Sequence, residues 1–316
     1  MALLRRQEQV VARVTPPRAE RARVADVRGR RTGRFVALTA VAFAAVLTLS
    51  GCSAKDAFAL GWPHGGISKQ SNEMYNLWIG TVIAALITGL VVYVLIFWCI
   101  IRYRKKKGAD DELPVQTRYN LPIELIYSVI PFLIIAVLFY YTAVAETNVD
   151  KLSKHPDVTV EVVAFKWNWQ FNYLDTTAKM PDGSPVTTIG DSSYIPVLVV
   201  PTGESVQFVE TSRDVIHSFW VPELLFKRDV FPGNVQNRFQ VTITTAGAYV
   251  GRCAELCGTY HSQMNFELRA VSPADYQTFI ADRQKGMTTP QALVAIGESG
   301  YATTTQPFQT GRTDTR

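Results

Sequence analysis

The sequence has no internal repeat, which excludes a solenoid or propeller of stacked units. It also lacks the regular strand–helix alternation of a parallel α/β sheet. Basic residues are scarce where nucleic-acid binding would need them. Ten of the 32 Lys and Arg are arginines within residues 1–34, and without residues 1–51 the chain carries 22 basic and 24 acidic side chains, a balance of −2. The overall charge of +5 therefore belongs to one short N-terminal region. No basic stripe with interleaved aromatics remains, so no nucleic-acid partner is expected.

That N-terminal region has the layout of an export signal. Its arginines are opposed only by Glu8, Glu20 and Asp26, and they run into the apolar stretch Phe35 to Leu49. The stretch ends at Leu49-Ser50-Gly51-Cys52, which resembles the lipobox of bacterial lipoproteins. On that reading residues 1–51 are removed and Cys52 becomes a lipidated N-terminus; the alternative is a retained signal anchor with an incidental cysteine.

Charge is missing again from Leu77 to Ile101, an apolar run of 25 residues. At about 1.5 Å per residue such a helix spans a hydrocarbon core of about 30 Å with some tilt. A second run, Leu121 to Ala145, is broken only by Glu124 and Pro131, and Pro122 falls in its first turn, where proline is tolerated. Between the runs lies Arg102-Tyr103-Arg104-Lys105-Lys106-Lys107, with Arg118 further on. The positive-inside rule places the loop 102–120 in the cytoplasm. Residues 52–76 and 146–316 then face outward, giving a two-pass protein of the bacterial plasma membrane with both termini outside.

From Val158 the period changes to two: Val158, Val160 and Val162 share one face, with Thr159 and Glu161 between them. Alternation returns at Phe239 to Thr244 and at Met264 to Ala270, and short apolar runs occur at Ile195 to Val200 and Val206 to Val209. Several short strands separated by Gly and Pro predict a β-sandwich or barrel over about 146–285. A helix is expected from Pro273 to about Arg283 behind a Ser272 cap. The stretch Asp175 to Tyr194 reads as a long loop, and the tail beyond Thr288 as coil.

The chain has four cysteines. Cys52 belongs to the leader motif and Cys99 to the first apolar run. The other two stand in Cys253-Ala254-Glu255-Leu256-Cys257-Gly258-Thr259-Tyr260-His261-Ser262-Gln263-Met264. Two thiols, an imidazole and a thioether within one loop form a donor set that copper selects. An outward-facing pair can instead form a disulfide, and the same donors also describe a mononuclear blue-copper site. The other histidines do not compete, since His64 and His155 lie beside Pro63 and Pro156 in loops.

Upstream, Val215-Ile216-His217-Ser218-Phe219-Trp220-Val221-Pro222 supplies a second histidine. Together the segments resemble cytochrome c oxidase subunit II, whose patterns are C-x-E-x-C-x3-H-x2-M and D-V-x-H-S-x-x-V-P, with every ligand position filled. The resemblance covers about residues 70–285 and implies a helical hairpin followed by a cupredoxin-like Greek-key barrel. It implies a binuclear copper (CuA) centre in which Cys253 and Cys257 bridge both metals and His217 and His261 each bind one. Met264 and the Glu255 backbone carbonyl are then weak ligands, and the Glu255 carboxylate helps hold magnesium at the interface with subunit I.

Three further stretches extend the likeness. Lys166-Trp167-Asn168-Trp169-Gln170-Phe171-Asn172-Tyr173 resembles the family's aromatic region, which implies that electrons from cytochrome c enter at Trp167, while Trp169 packs the interior. Glu124 matches the glutamate at the mouth of the K proton channel; a snorkelling acid at a helix start is the alternative. Lys227 to Gly233 resembles the family's K-x-D-x-x-P-G turn. The reaction implied is electron transfer from reduced cytochrome c through CuA to haem in subunit I, for oxygen reduction coupled to proton pumping; this chain alone would not reduce oxygen.

The leader, the 175–194 stretch and the tail suggest a bacterial variant of Gram-positive type, whose donor cytochrome is itself membrane-bound within a supercomplex. Residues 146–316 carry 14 basic and 18 acidic side chains, a balance suited to steering a basic cytochrome. Two rival readings are weighed. A membrane-anchored copper-delivery protein would need a thioredoxin fold, for which the pattern is absent, and a quinol oxidase subunit II would lack the copper ligands.

Overall fold

The computed structural model describes residues 66–104, 116–175 and 179–306, together with Leu38 and Val41. By contacts the chain divides into Met1–Phe58 and Ala59–Arg316. In the first unit Leu38 and Val41 are helical and exposed. Cys52, His64 and the basic residues 105–107 lie outside the described residues, so the leader and lipidation readings fall there too.

The second unit opens with two helices long and apolar enough to cross a membrane, α1 (Lys69–Arg102) and α2 (Leu121–Val149). Helix α1 begins at Lys69 rather than at the apolar Leu77. The reason is local: Ser68 caps it, its Oγ accepting the Ser71 N–H at 3.0 Å while the Ser71 Oγ accepts the Ser68 N–H at 2.8 Å. The Thr244 N–H donates to the Ile67 carbonyl at 2.7 Å and the Thr242 N–H to Gln70 Oε1 at 3.1 Å. The added turns of α1 are thus anchored to the β-domain. At the far end of α2, Asp150 pairs with Arg228, and the Ser153 N–H donates to Gln240 Oε1 at 2.8 Å. The β-domain sits on the Lys69 and Val149 ends of the helices, whereas Arg102, Arg104 and Arg118 lie at their opposite ends.

Ten strands follow: β1 (Val158–Phe165), β2 (Asn168–Tyr173), β3 (Val186–Ile189), β4 (Val197–Pro201), β5 (Ser205–Ser212), β6 (His217–Val221), β7 (Phe226–Val230), β8 (Asn237–Thr242), β9 (Gly247–Cys253) and β10 (Asn265–Val271). They form two sheets, ordered β3-β2-β1-β5-β8 and β4-β10-β9-β6-β7. The pairs β1/β5 and β4/β10 are parallel and the rest antiparallel, the mixed pattern of a cupredoxin-like sandwich. The period-two reading of β1 holds, with Val158, Val160 and Val162 buried and Thr159 and Glu161 half-buried.

Aromatic rings fill the space between the sheets. Phe266 stacks on Phe219 at 4.7 Å and meets Trp169 at 5.3 Å and Phe171 at 5.5 Å, and Phe208 lies 4.8 Å from Phe239. All six are essentially inaccessible to solvent. Such pairs prefer edge-to-face or offset geometry, which fixes each ring's orientation as well as burying it.

Two expectations are corrected. The 175–194 stretch is not all loop, since it contains β3, whose Val186 and Thr188 turn inward and whose Thr188 pairs in register with Phe171. Four residues are too few for a period to show. The chain beyond Thr288 is not all coil: after α3 (Pro273–Gln284) comes α4 (Thr289–Ala295), capped reciprocally by Thr288 and Gln291. Thr288, Pro290 and Gln291 were legible as a start signal, but the helix is too short to carry a period.

The C-terminal segment also explains β10, whose seven residues are all buried although the sequence alternates. Glu267 and Arg269 pair beneath it. The Glu267 carboxylate accepts the N–H groups of Thr303 at 2.6 Å and Thr304 at 2.8 Å, and Arg269 donates to Glu298 at 3.0 Å. Burial raises the Glu267 pKa, but these hydrogen bonds and the guanidinium outweigh it and hold the group below its ordinary value.

Gly251 of β9 lies opposite Phe266, and a Cβ there would come within 2.2 Å of that ring. Gly251→Ala should therefore destabilise the chain by about 1–3 kcal/mol through overpacking. A urea melt monitored by tryptophan fluorescence measures this, and an unchanged midpoint would show that the ring is not fixed there.

Candidate metal centre

The site is built where β6, β9 and β10 end together. His217 opens β6, Cys253 closes β9, and the connection 254–264 brings Glu255, Cys257, His261 and Met264 back to β10. Phe219 pairs with Cys253, and the Ala254 N–H donates to the Ser218 carbonyl at 3.0 Å, carrying the β6/β9 pairing into the loop. The Cys253 N–H donates to the Met264 carbonyl at 3.0 Å and closes the base of the loop. Gly258 turns the chain at φ 119°, a conformation that side chains disfavour, and residues His261–Gln263 form a 3₁₀ turn that aims His261 and Met264 back.

Each of the six predicted donor atoms lies within 3.9 Å of a cysteine sulfur. Cys253 Sγ and Cys257 Sγ are 3.9 Å apart, far beyond the roughly 2.05 Å of a disulfide. Both cysteines are free and buried. His217 Nδ1 lies 3.8 Å from the Cys253 sulfur and His261 Nδ1 lies 3.6 Å from the Cys257 sulfur. Met264 Sδ is 3.8 Å from Cys257 Sγ, and the Cys253 thiol donates to the Glu255 carbonyl at 3.3 Å. His217, Cys253 and Cys257 alone place three ligand atoms within 4.8 Å of one another.

This donor set fits copper: two soft sulfurs close but unbonded, flanked by an imidazole on each side. Burial pushes the Cys257 thiol up to about 12, and the neighbouring Cys253 adds to the rise. A bare thiolate at Cys257 is therefore unfavourable here, and a bound cation would have to displace its proton.

Asp214 is the functional residue that the motif contained without a role. Its Oδ1 lies 2.8 Å from His217 Nε2, which leaves Nδ1 facing Cys253. Burial raises the Asp214 pKa, but bonds from His217 and from the N–H groups of Lys166 and Val215 overcome this and hold it below the ordinary value. The spacing of Asp three residues before His was the available signal. Such carboxylate partners orient a ligating imidazole and raise its basicity. Asp214→Asn should thus weaken copper binding by about 10–100-fold. Competition against a copper chelator at fixed pH reads this, and wild-type affinity would refute the orienting role.

Trp167 is half-buried, and its Nε1–H donates to the Cys257 carbonyl at 3.2 Å. Trp169 is buried in the core, as expected of it, and donates to the Met264 carbonyl at 3.2 Å. Glu255 is half-buried beside the cluster. Glu124 stands apart, in the first turn of α2, where its Oε1 accepts the Asn120 N–H at 3.0 Å. His155 is exposed and belongs to no cluster among the described residues.

Residues 158–271 match the family described as cytochrome C oxidase subunit II, periplasmic domain. The chain is 42% identical over 328 residues to cytochrome c oxidase subunit 2 of Mycobacterium tuberculosis H37Rv, an alignment covering 88% of this chain and 90% of the relative. It is 43% identical over 346 residues to the probable cytochrome c oxidase subunit 2 of Nocardia farcinica, covering 91% and 92%. With the probable subunit 2 of Streptomyces avermitilis the identity is 42% over 303 residues, covering 86% and 94%.

Proposed function

From the premise that this chain belongs to the cytochrome c oxidase subunit II family, we propose that it receives electrons from a reduced cytochrome c at a CuA centre for a haem-copper oxidase. The observation that carries this reading is the convergence of two unbonded thiols with one imidazole beside each. Cys253, Cys257, His217 and His261 would hold the copper, and Met264 and the Glu255 carbonyl would complete the set. When bound, the copper pair supplies a one-electron carrier whose charge change is shared between two ions.

The chain's own groups do the rest. A donor set fixed to three paired strands keeps its geometry in both redox states, so little rearrangement accompanies transfer. Asp214 holds His217 in one orientation. Trp167, hydrogen-bonded to the backbone of Cys257, is where electrons enter from the donor. The acidic balance of residues 146–316 favours a basic donor, which we read as membrane-bound within a supercomplex.

The remaining roles belong to the same reading. The Glu255 carboxylate shares a magnesium ion with subunit I, and Glu124 stands at the mouth of the K channel that serves proton translocation. Helices α1 and α2 cross the bacterial plasma membrane with the β-domain outside, in agreement with arginines at the opposite helix ends. Lipid on Cys52, after loss of residues 1–51, adds an anchor.

Electron paramagnetic resonance with copper quantitation on the assembled oxidase tests the proposal. A seven-line mixed-valence signal and two coppers in this chain are expected, with both lost in Cys257→Ser. Trp167→Phe should keep the signal but slow reduction by the donor roughly tenfold or more, about 1.4 kcal/mol of added barrier. A four-line signal from one copper would contradict the binuclear assignment.

A further inference from the structure

We propose that Tyr260 is a positioning residue for electron transfer, its ring bracing Trp167 so that the indole N–H stays on the Cys257 carbonyl. The inference rests on the reading of Trp167 as the residue where electrons enter, and adds what keeps it coupled to the centre. Trp167 stands in the turn between β1 and β2, remote in sequence from every ligand, and is only half-buried. A side chain in such a place has rotamers to choose from, and something must select one.

Three contacts from the ligand loop act on it. The Trp167 Nε1–H donates to the Cys257 carbonyl at 3.2 Å. The indole lies against Gly258, where a Cβ would stand 3.2 Å from Cζ2 and 3.4 Å from Nε1, tighter than a side chain comfortably allows. The Tyr260 ring meets the indole edge-on, with centroids 4.9 Å apart and planes at 84°. That is the favoured geometry for two aromatic quadrupoles, and it resists rotation of either ring.

Tyr260 is itself held. It stands next to His261, and its carbonyl accepts the Gln263 N–H at 3.0 Å in the turn that aims the imidazole. The indole is therefore clipped to the loop at residues 257 and 260, beside the two ligands Cys257 and His261. Electron tunnelling weakens steeply when a hydrogen-bonded link opens into a through-space gap. Loss of the brace should slow transfer without altering the metal site. In the step itself one electron leaves the ferrous haem of the donor, which becomes ferric, and one arrives at the oxidised copper pair. No bond forms or breaks, no proton moves, and Trp167 and Tyr260 end unchanged.

Two measurements on Tyr260→Leu and Tyr260→Phe test this. In the copper-free full chain, labelled with ¹⁵N-tryptophan and held in lipid nanodiscs, the Trp167 indole N–H is identified by its loss in Trp167→Phe. Its exchange with solvent should quicken roughly tenfold in Tyr260→Leu and stay as in wild type in Tyr260→Phe, as expected when a local contact is opened. In the assembled oxidase mixed rapidly with reduced cytochrome c, Tyr260→Leu should slow copper reduction roughly tenfold. Tyr260→Phe should react as wild type, and copper content and resonance spectrum should be unchanged in both. Wild-type exchange or a wild-type rate in Tyr260→Leu would overturn the proposal, and so would an altered copper signal, which would make the role structural. A wild-type rate in Trp167→Phe would instead overturn the reading of Trp167 on which it rests.

Discussion

Two thiols held 3.9 Å apart without bonding, with an imidazole facing each, are the constraint on which the structure turns. The ends of the loop that carries them are tied to the strands. The Cys253 N–H is bound to Met264, the Ala254 N–H to Ser218, and Gly258 turns the chain back after Cys257. The strands β6, β9 and β10 hold those ends because their inner faces are locked by interleaved aromatic rings. The rigidity needed at the metal site begins at Phe219, Phe266 and Trp169.

The outer parts of the chain serve the same frame. The capped start of α1 reaches Thr242 and Thr244 beside β8, and Arg228 of β7 pairs with Asp150 at the end of α2. The β-domain is thereby fixed to the ends of both helices and not hung from a loose linker. On the opposite flank the C-terminal segment covers Glu267 and Arg269, converting a half-exposed strand into a buried one. A buried ion pair of this kind stabilises only when its remaining hydrogen-bonding capacity is met, as the backbone of Thr303 and Thr304 does here.

Much of this was legible in the sequence because its signals are local. Period two announced β1, uncharged length announced both helices, and the ligand loop placed four of its donors within twelve residues. His217 was found through its motif, and the β6/β9 register then explains how it reaches Cys253. What escaped was short or long-range. Strand β3 and helix α4 are too brief to show a period. The burial of Glu267 depends on residues more than thirty positions away. The role of Asp214 was hidden because an acid before a histidine reads equally well as a turn residue, and only the 2.8 Å contact distinguishes the two. Tyr260 gave no signal, since its partner Trp167 lies in another strand connection.

Copper K-edge absorption spectroscopy of the assembled oxidase bears most directly on the central claim, that this loop clasps a pair of metals through shared sulfurs. The account predicts a short metal–metal scattering path together with a sulfur shell around each copper from Cys253 and Cys257. A sulfur and nitrogen shell with no metal–metal path would mean a single ion, and would contradict it.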